Sequence, residues 1–225
     1  MTVVIATAGK NFVVVGADTR GVVKDKIIGD RIESDSAKKI FTVANHVMIT
    51  IAGNGDVGTQ LIEKFKSDVI RNTDGVTKVT NLFSKFCKNE IYGTGFNYEE
   101  RIPDVDFIIT GLDKNRSKYT TPMIYTLDSV NGFAIGRRDY YAILGKFFIP
   151  YYIFRKDFKQ DSDLRTLPGL VAKAIYETSQ CDSDVGNKMR IFIVEEGGYR
   201  ELPREDVLEL YSTWDENNIR QIIEG

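Results

Sequence analysis

Apolar and polar positions along this chain follow two periods, and the points where the period changes divide it into elements. Val3-Val4-Ile5-Ala6-Thr7-Ala8 and Phe12-Val13-Val14-Val15-Gly16-Ala17 are β-branched, apolar runs joined by Gly9-Lys10-Asn11, and they predict a hairpin. Gly21 to Ala37 is polar and mixed in charge, and reads as a surface excursion with one short strand at Lys26 to Gly29. Lys39 to Val43 and Val47 to Ala52 predict a second hairpin, with Ala44-Asn45-His46 as its turn. After Gly53-Asn54-Gly55 the period lengthens: Val57, Leu61, Ile62, Phe65 and Val69 fall on one helical face. Beyond Thr73-Asp74-Gly75, a second helix takes Val76, Val79, Leu82, Phe83, Phe86 and Ile91 inward, so the two should lie antiparallel on a sheet.

The period of two returns after a loop from Gly93 to Asp104. Val105 to Gly111 and Met123 to Leu127 predict strands separated by a charged turn from Asp113 to Lys118. Asn131-Gly132 marks a tight turn, Phe133-Ala134-Ile135 begins another strand, and Tyr140 to Gly145 is a further one. Phe147 to Phe158 is aromatic and interrupted by Pro150; it reads as a helix packed into a core rather than a ligand pocket or interaction face. Pro168 suits the start of a helix that carries Leu170, Val171, Ala174 and Ile175 inward. Met189 to Val194 is a strand, Gly197-Gly198 a turn, and Arg204 to Tyr211 and Ile219 to Ile223 are helix-prone. The order predicts an α+β fold of two antiparallel sheets between helical layers, with residues 1–225 as one domain.

Composition narrows the function. Lys plus Arg at 30 against Asp plus Glu at 32 leaves no basic excess for nucleic acid or an anionic membrane. No apolar run reaches membrane-spanning length and no signal peptide is evident, so cytoplasmic residence is expected. Cys87 and Cys181 fall in helical segments far apart, as reduced thiols would, and the single His46 leaves neither a Ser-His or Cys-His scheme nor a zinc site.

The remaining candidate chemistry gathers at strand ends. Thr2 follows the initiator Met, and trimming Met1 would give a threonine whose own α-amine, with an ordinary pKa of about 7.7 to 8.0, can take the hydroxyl proton. Many proteins begin Met-Thr, so the dipeptide alone says little. Asp18 closes the second strand, which antiparallel pairing returns beside the chain start. Lys39 opens the second hairpin, where like charge and burial would lower its pKa, and strand alternation leaves Lys38 or Lys39 to point inward. Gly53 can offer a bare N–H to a developing oxyanion.

In series these residues, with Gly16-Ala17-Asp18-Thr19-Arg20, Lys38-Lys39-Ile40-Phe41, Met48 to Gly53 and Cys181-Asp182-Ser183-Asp184-Val185-Gly186, make the chain similar to the proteasome β-subunit family of N-terminal nucleophile hydrolases. The resemblance implies a four-layer αββα sandwich and a threonine peptidase without cofactor or metal. Thr2 would be nucleophile, its α-amine base directly or through water, Lys39 the stabilising cation, Asp18 the holder of Lys39, Gly53 N–H the oxyanion donor and Asp182 the group orienting the amine. Arg20, Gly53 and Asn54 would border the substrate, a peptide or unfolded protein. A ring of like subunits and an ATP-dependent unfoldase are the implied partners. The chain departs from the family at Lys146 and Val185, where serines are usual, and in a longer segment between Asp18 and Lys39. No propeptide is evident before Thr2. The resemblance leaves two alternatives: a connectase-type ligase using the same threonine, which would need water excluded, and an inactive ring subunit.

Overall fold

The computed structural model describes residues 2–25, 29–68, 74–93, 102–116 and 118–212. Strands β1 (Val3–Ala8) and β2 (Val13–Asp18) form the first hairpin, followed by β3 (Gly21–Asp25), β4 (Gly29–Ser34), β5 (Ile40–Ala44) and β6 (Val47–Gly53). Helices α1 (Gly55–Asp68) and α2 (Val76–Tyr92) precede β7 (Val105–Asn115), β8 (Lys118–Asp128), β9 (Gly136–Arg138) and β10 (Tyr141–Gly145). Helices α3 (Phe148–Asp157) and α4 (Thr166–Cys181) lead to β11 (Met189–Glu195) and β12 (Gly198–Glu201), and residues 204–212 are helical.

One five-stranded sheet has the order β10-β1-β2-β11-β12 and the other β5-β6-β7-β8-β9, both antiparallel throughout. The alternation of side chains along each strand then builds three separate cores. Val4, Ala6, Val13 and Val15 point at the facing sheet and meet Ile40, Met48, Ile108 and Ile124. Their neighbours Val3, Ile5 and Val14 point the other way, onto Leu170, Val171, Ala174 and Ile175 of α4 and Phe154 of α3. Ile49, Ile51, Phe107 and Ile109 likewise turn outward to Leu61 and Phe65 of α1 and Val79 and Phe83 of α2. Three cores between four layers are the αββα sandwich that the sequence implies. They also explain why β1 and β2 are apolar at nearly every position, since both faces of their sheet are covered.

Several local expectations change. The excursion after β2 holds two strands rather than one, β3 paired with β4 through Val22↔Ile32 and Val23↔Arg31; Lys26, Ile27 and Ile28 of the expected strand lie outside the described residues. The charged stretch after Gly111 is not a turn but continues the ladder, with Leu112 opposite Pro122 and Asp113 opposite Thr121. Charge misled because Lys114, Asn115 and Lys118 are paired in the ladder yet exposed, while Asp113 accepts the Thr77 N–H at the start of α2 at 3.1 Å. Pro122 is tolerated because β9 pairs only with Thr126 to Ile124 on the other side of β8. Phe133 starts no strand: it sits in a turn at φ +56° with its ring in the core beneath α2. Val69 and Ile219 to Ile223 lie outside the described residues, and β12 adds a strand to those the sequence pattern predicts.

The aromatic helix α3 is the largest correction. Ile153 and Phe154 are buried, but Phe148 and Tyr152 are 79% and 69% exposed and Phe147 and Tyr151 about half so. Only one stripe of α3 packs inward. His46, at the β5–β6 turn, stacks on Tyr119 at 3.8 Å between ring centroids and donates from Nε2 to the Glu196 carbonyl at 2.9 Å, tying the two sheets together.

Candidate active site

The start of β1, the end of β2, the residue before β5 and the turn after α4 meet around one buried carboxylate. The β1–β2 register, Val4↔Ala17, brings Asp18 opposite Val3 and beside Thr2. Asp18 is fully buried, and both its oxygens are bonded. Oδ1 accepts from the Thr2 hydroxyl at 3.1 Å, the Val3 N–H at 2.8 Å and the Lys39 ammonium at 2.8 Å. Oδ2 accepts the Arg20 N–H at 3.0 Å and the Gly186 N–H at 3.1 Å. A carboxylate so enclosed survives burial only because donors surround it.

Lys39 lies immediately before β5 and is 8% exposed. Burial pushes its ammonium below the ordinary lysine range, the Asp18 carboxylate pulls it partly back, and Arg20 adds to the lowering. Strand alternation lets one of the two lysines point inward and the spacing to Gly53 favours Lys39; Lys39 turns inward while Lys38 turns out, over the Phe41 ring and toward Glu63. Because Lys39 and the Thr2 hydroxyl share one oxygen of Asp18, cation and hydroxyl are neighbours in a buried site.

Gly53 ends β6 at φ +84°, and a Cβ there would meet the Asp104 carbonyl at 2.4 Å, so both conformation and space require glycine. The Ile51 N–H donates to the Lys39 carbonyl at 3.1 Å. Two residues on, alternation points the Gly53 N–H toward the same Lys39 edge. Asn54 is the N-cap of α1, its Oδ1 accepting the Val57 N–H at 3.1 Å. Arg20 is a strut: Nε binds Asp35 at 2.8 Å and Nη1 the Ser183 carbonyl at 2.8 Å.

Asp182 binds the Lys146 ammonium at 2.5 Å and the Asp184 N–H at 3.0 Å. Burial raises its carboxyl, but the Lys146 and Asp184 bonds outweigh this and hold it below the usual range. Lys146 is raised in turn, chiefly by its bond to Asp182. The Lys146 N–H donates to the Thr2 carbonyl at 2.8 Å. Val185 is buried in the core beneath α4, in the same apolar cluster as Val3. Sequence reasoning missed the Gly186 N–H, Asp184 and Asp35; Gly186 stood inside a quoted motif, but only the fold shows its N–H aimed at Asp18. Among the described residues no group of three or more His, Cys, Asp or Glu could hold a metal ion.

Known proteins resemble the chain along most of its length. It is 25% identical over 212 residues to proteasome subunit beta 1 of Thermococcus onnurineus (strain NA1), covering 92% of this chain and 94% of that protein. It is 24% identical over 186 residues to proteasome subunit beta of Methanosarcina barkeri, covering 80% and 82%. With proteasome subunit beta type-5 of Spinacia oleracea it shares 26% over 220 residues, 93% of this chain and 72% of that protein. The family model described as Proteasome subunit matches residues 2–194, from the candidate nucleophile through β11, and the chain therefore belongs to the proteasome subunit family.

Proposed function

We propose that the chain is an N-terminal threonine peptidase, with Thr2 as nucleophile once Met1 is removed. The observation that carries this is the buried Asp18 with the Thr2 hydroxyl and Lys39 ammonium on one oxygen. In the proposed reaction the freed α-amine takes the hydroxyl proton and Thr2 Oγ1 bonds to the scissile carbonyl carbon. Lys39 stabilises the developing alkoxide and the Gly53 N–H the carbonyl oxygen. The C–N bond then breaks, the leaving amine takes the proton back, and water cleaves the resulting ester. Asp18 holds Lys39 and the start of β1 in register throughout.

The substrate on this reading is a peptide or unfolded segment. Assembly belongs to the same proposal: the exposed aromatic face of α3 is a surface that a neighbouring subunit would cover. One observation favours a second reading, an assembled but inactive subunit: Lys146 already occupies Asp182, the group expected to orient the amine.

Fluorogenic peptides and mixtures of two unlabelled peptides, incubated with the wild type and Thr2→Ala, test the proposal. Cleavage lost in Thr2→Ala supports it, spliced peptide in place of hydrolysate redirects it to ligation, and no turnover by the wild type supports the inactive subunit.

A further inference from the structure

Thr2 is enclosed by a closed circuit of bonds, and Lys146 is the link that completes it. From the Thr2 hydroxyl the circuit runs to Asp18, from Asp18 to the Gly186 N–H, and back along the turn to Asp182. Asp182 binds Lys146 Nζ, and the Lys146 N–H returns to the Thr2 carbonyl. Register places Thr2 opposite Lys146, one step beyond Val3↔Gly145. In an antiparallel pair a residue's nitrogen and carbonyl point to the same neighbour, so the Thr2 nitrogen also faces the Lys146 edge. On the other side, the Val3 N–H turns to Asp18.

We propose that Lys146 is a positioning residue for the Thr2 α-amine: its main chain holds the Thr2 carbonyl while its ammonium occupies Asp182 and Asp184, so the amine meets compensated carboxylates. The inference rests on the reading of Thr2 as an N-terminal nucleophile. Asp182 lies 2.5 Å from the Lys146 ammonium and Asp184 3.7 Å from it. Among the described residues, the other charged groups bonded in this cluster are Asp18 from β2, Lys39 from the start of β5, and Arg20, whose side chain is spent on Asp35 and Ser183.

The consequence is a matter of sign. Without Lys146, two bare carboxylates would face the amine, stabilise its protonated form and delay its service as a base to higher pH. With Lys146 present, one positive charge offsets part of that attraction and Lys39 adds a repulsion, so the amine is neutral at lower pH than it would be without Lys146.

The test uses protein generated with Thr2 as its first residue by cleavage of an N-terminal fusion, with the α-amine ¹³C-methylated and titrated by NMR. Lys146→Met is expected to raise the amine midpoint by about 0.5 to 1 pH unit, Asp182→Asn to lower it similarly, and Lys146→Arg to leave it in place. Lys146→Gln supplies the neutral variant if Lys146→Met does not fold. An unmoved midpoint in the neutral variants overturns the inference, as does a shift of the same sign in both Lys146→Met and Asp182→Asn. Acylation by a β-lactone is measured on unmethylated protein of the same variants. Shifted midpoints without acylation refute the nucleophile reading alone; acylation with unmoved midpoints refutes the role of Lys146 alone.

Discussion

Replacing Asp18 with asparagine changes shape least and charge most, and so isolates what the buried carboxylate does. Asp18 accepts five donors, three on Oδ1 and two on Oδ2. An amide has one carbonyl oxygen, so whichever way the substituted side chain turns, its NH₂ confronts two or three donors. Lys39, 8% exposed, is left without a counter-charge. Removing one partner of a buried pair costs about 3 to 5 kcal/mol. At this chain length about 2 to 4 °C of Tm accompanies each kcal/mol, so a fall of about 6 to 20 °C is expected. The deficit should shrink toward alkaline pH, because Lys39, already lowered by burial, can then shed its proton in the native state. Guanidinium unfolding of wild type, Asp18→Asn, Lys39→Met and the double variant measures this. Removing Lys39 as well should recover about 1 to 3 kcal/mol relative to additivity. A loss below about 1 kcal/mol in Asp18→Asn, or a strictly additive double variant, would refute the account of Asp18 as anchor of a charged site.

Two further perturbations probe the frame. Gly145 has φ +80° and its added Cβ would lie 1.9 Å from the Thr2 carbonyl; Gly145→Ala should cost about 2 to 4 kcal/mol and slow any acylation of Thr2 at least tenfold. Circular dichroism melts and adduct kinetics would show it. Burial, with Asp104 and Asp128 nearby, pushes the Asp106 carboxyl up to about 6. Its folded value exceeds the unfolded one, so its contribution is fully present below the unfolded value near 3.8 and is lost as pH rises through about 6. Asp106→Asn should therefore be more stable than wild type at pH 7 by about 1 kcal/mol after solvent screening, the advantage vanishing toward pH 4 in unfolding curves.

What the sequence made legible was whatever one period of burial encodes. The β1–β2 hairpin, the inward stripes of α1, α2 and α4 and the strand at Met189 were plain because a core covers each on every face that matters. Features set by the edge of the fold were not. Asp113 and Lys114 read as turn because their charge hides two different placements, Lys114 in solvent and Asp113 on the Thr77 N–H of α2, while backbone pairing continues through both. Phe133 read as strand because an aromatic at φ +56° has no signature in periodicity. The aromatics of α3 read as core because apolar character does not say which stripe has a partner within one subunit.

At the site, the sequence pattern put Thr2, Asp18 and Lys39 at strand ends: hairpin pairing joins the first two, and Lys39 reaches Asp18 from the facing sheet. Lys146 and Asp182 were legible singly but not as a pair, since β10 and the end of α4 converge only through the strand order β10-β1-β2-β11. The Gly186 N–H is a backbone donor, and no side-chain pattern announces it.

The most direct test of Thr2 as nucleophile is intact mass spectrometry of the purified protein with and without a β-lactone. The account predicts a chain lacking Met1 that gains one adduct, with no adduct on Thr2→Ala. A chain trimmed to Thr2 that stays unmodified, or an adduct that persists in Thr2→Ala, would contradict it.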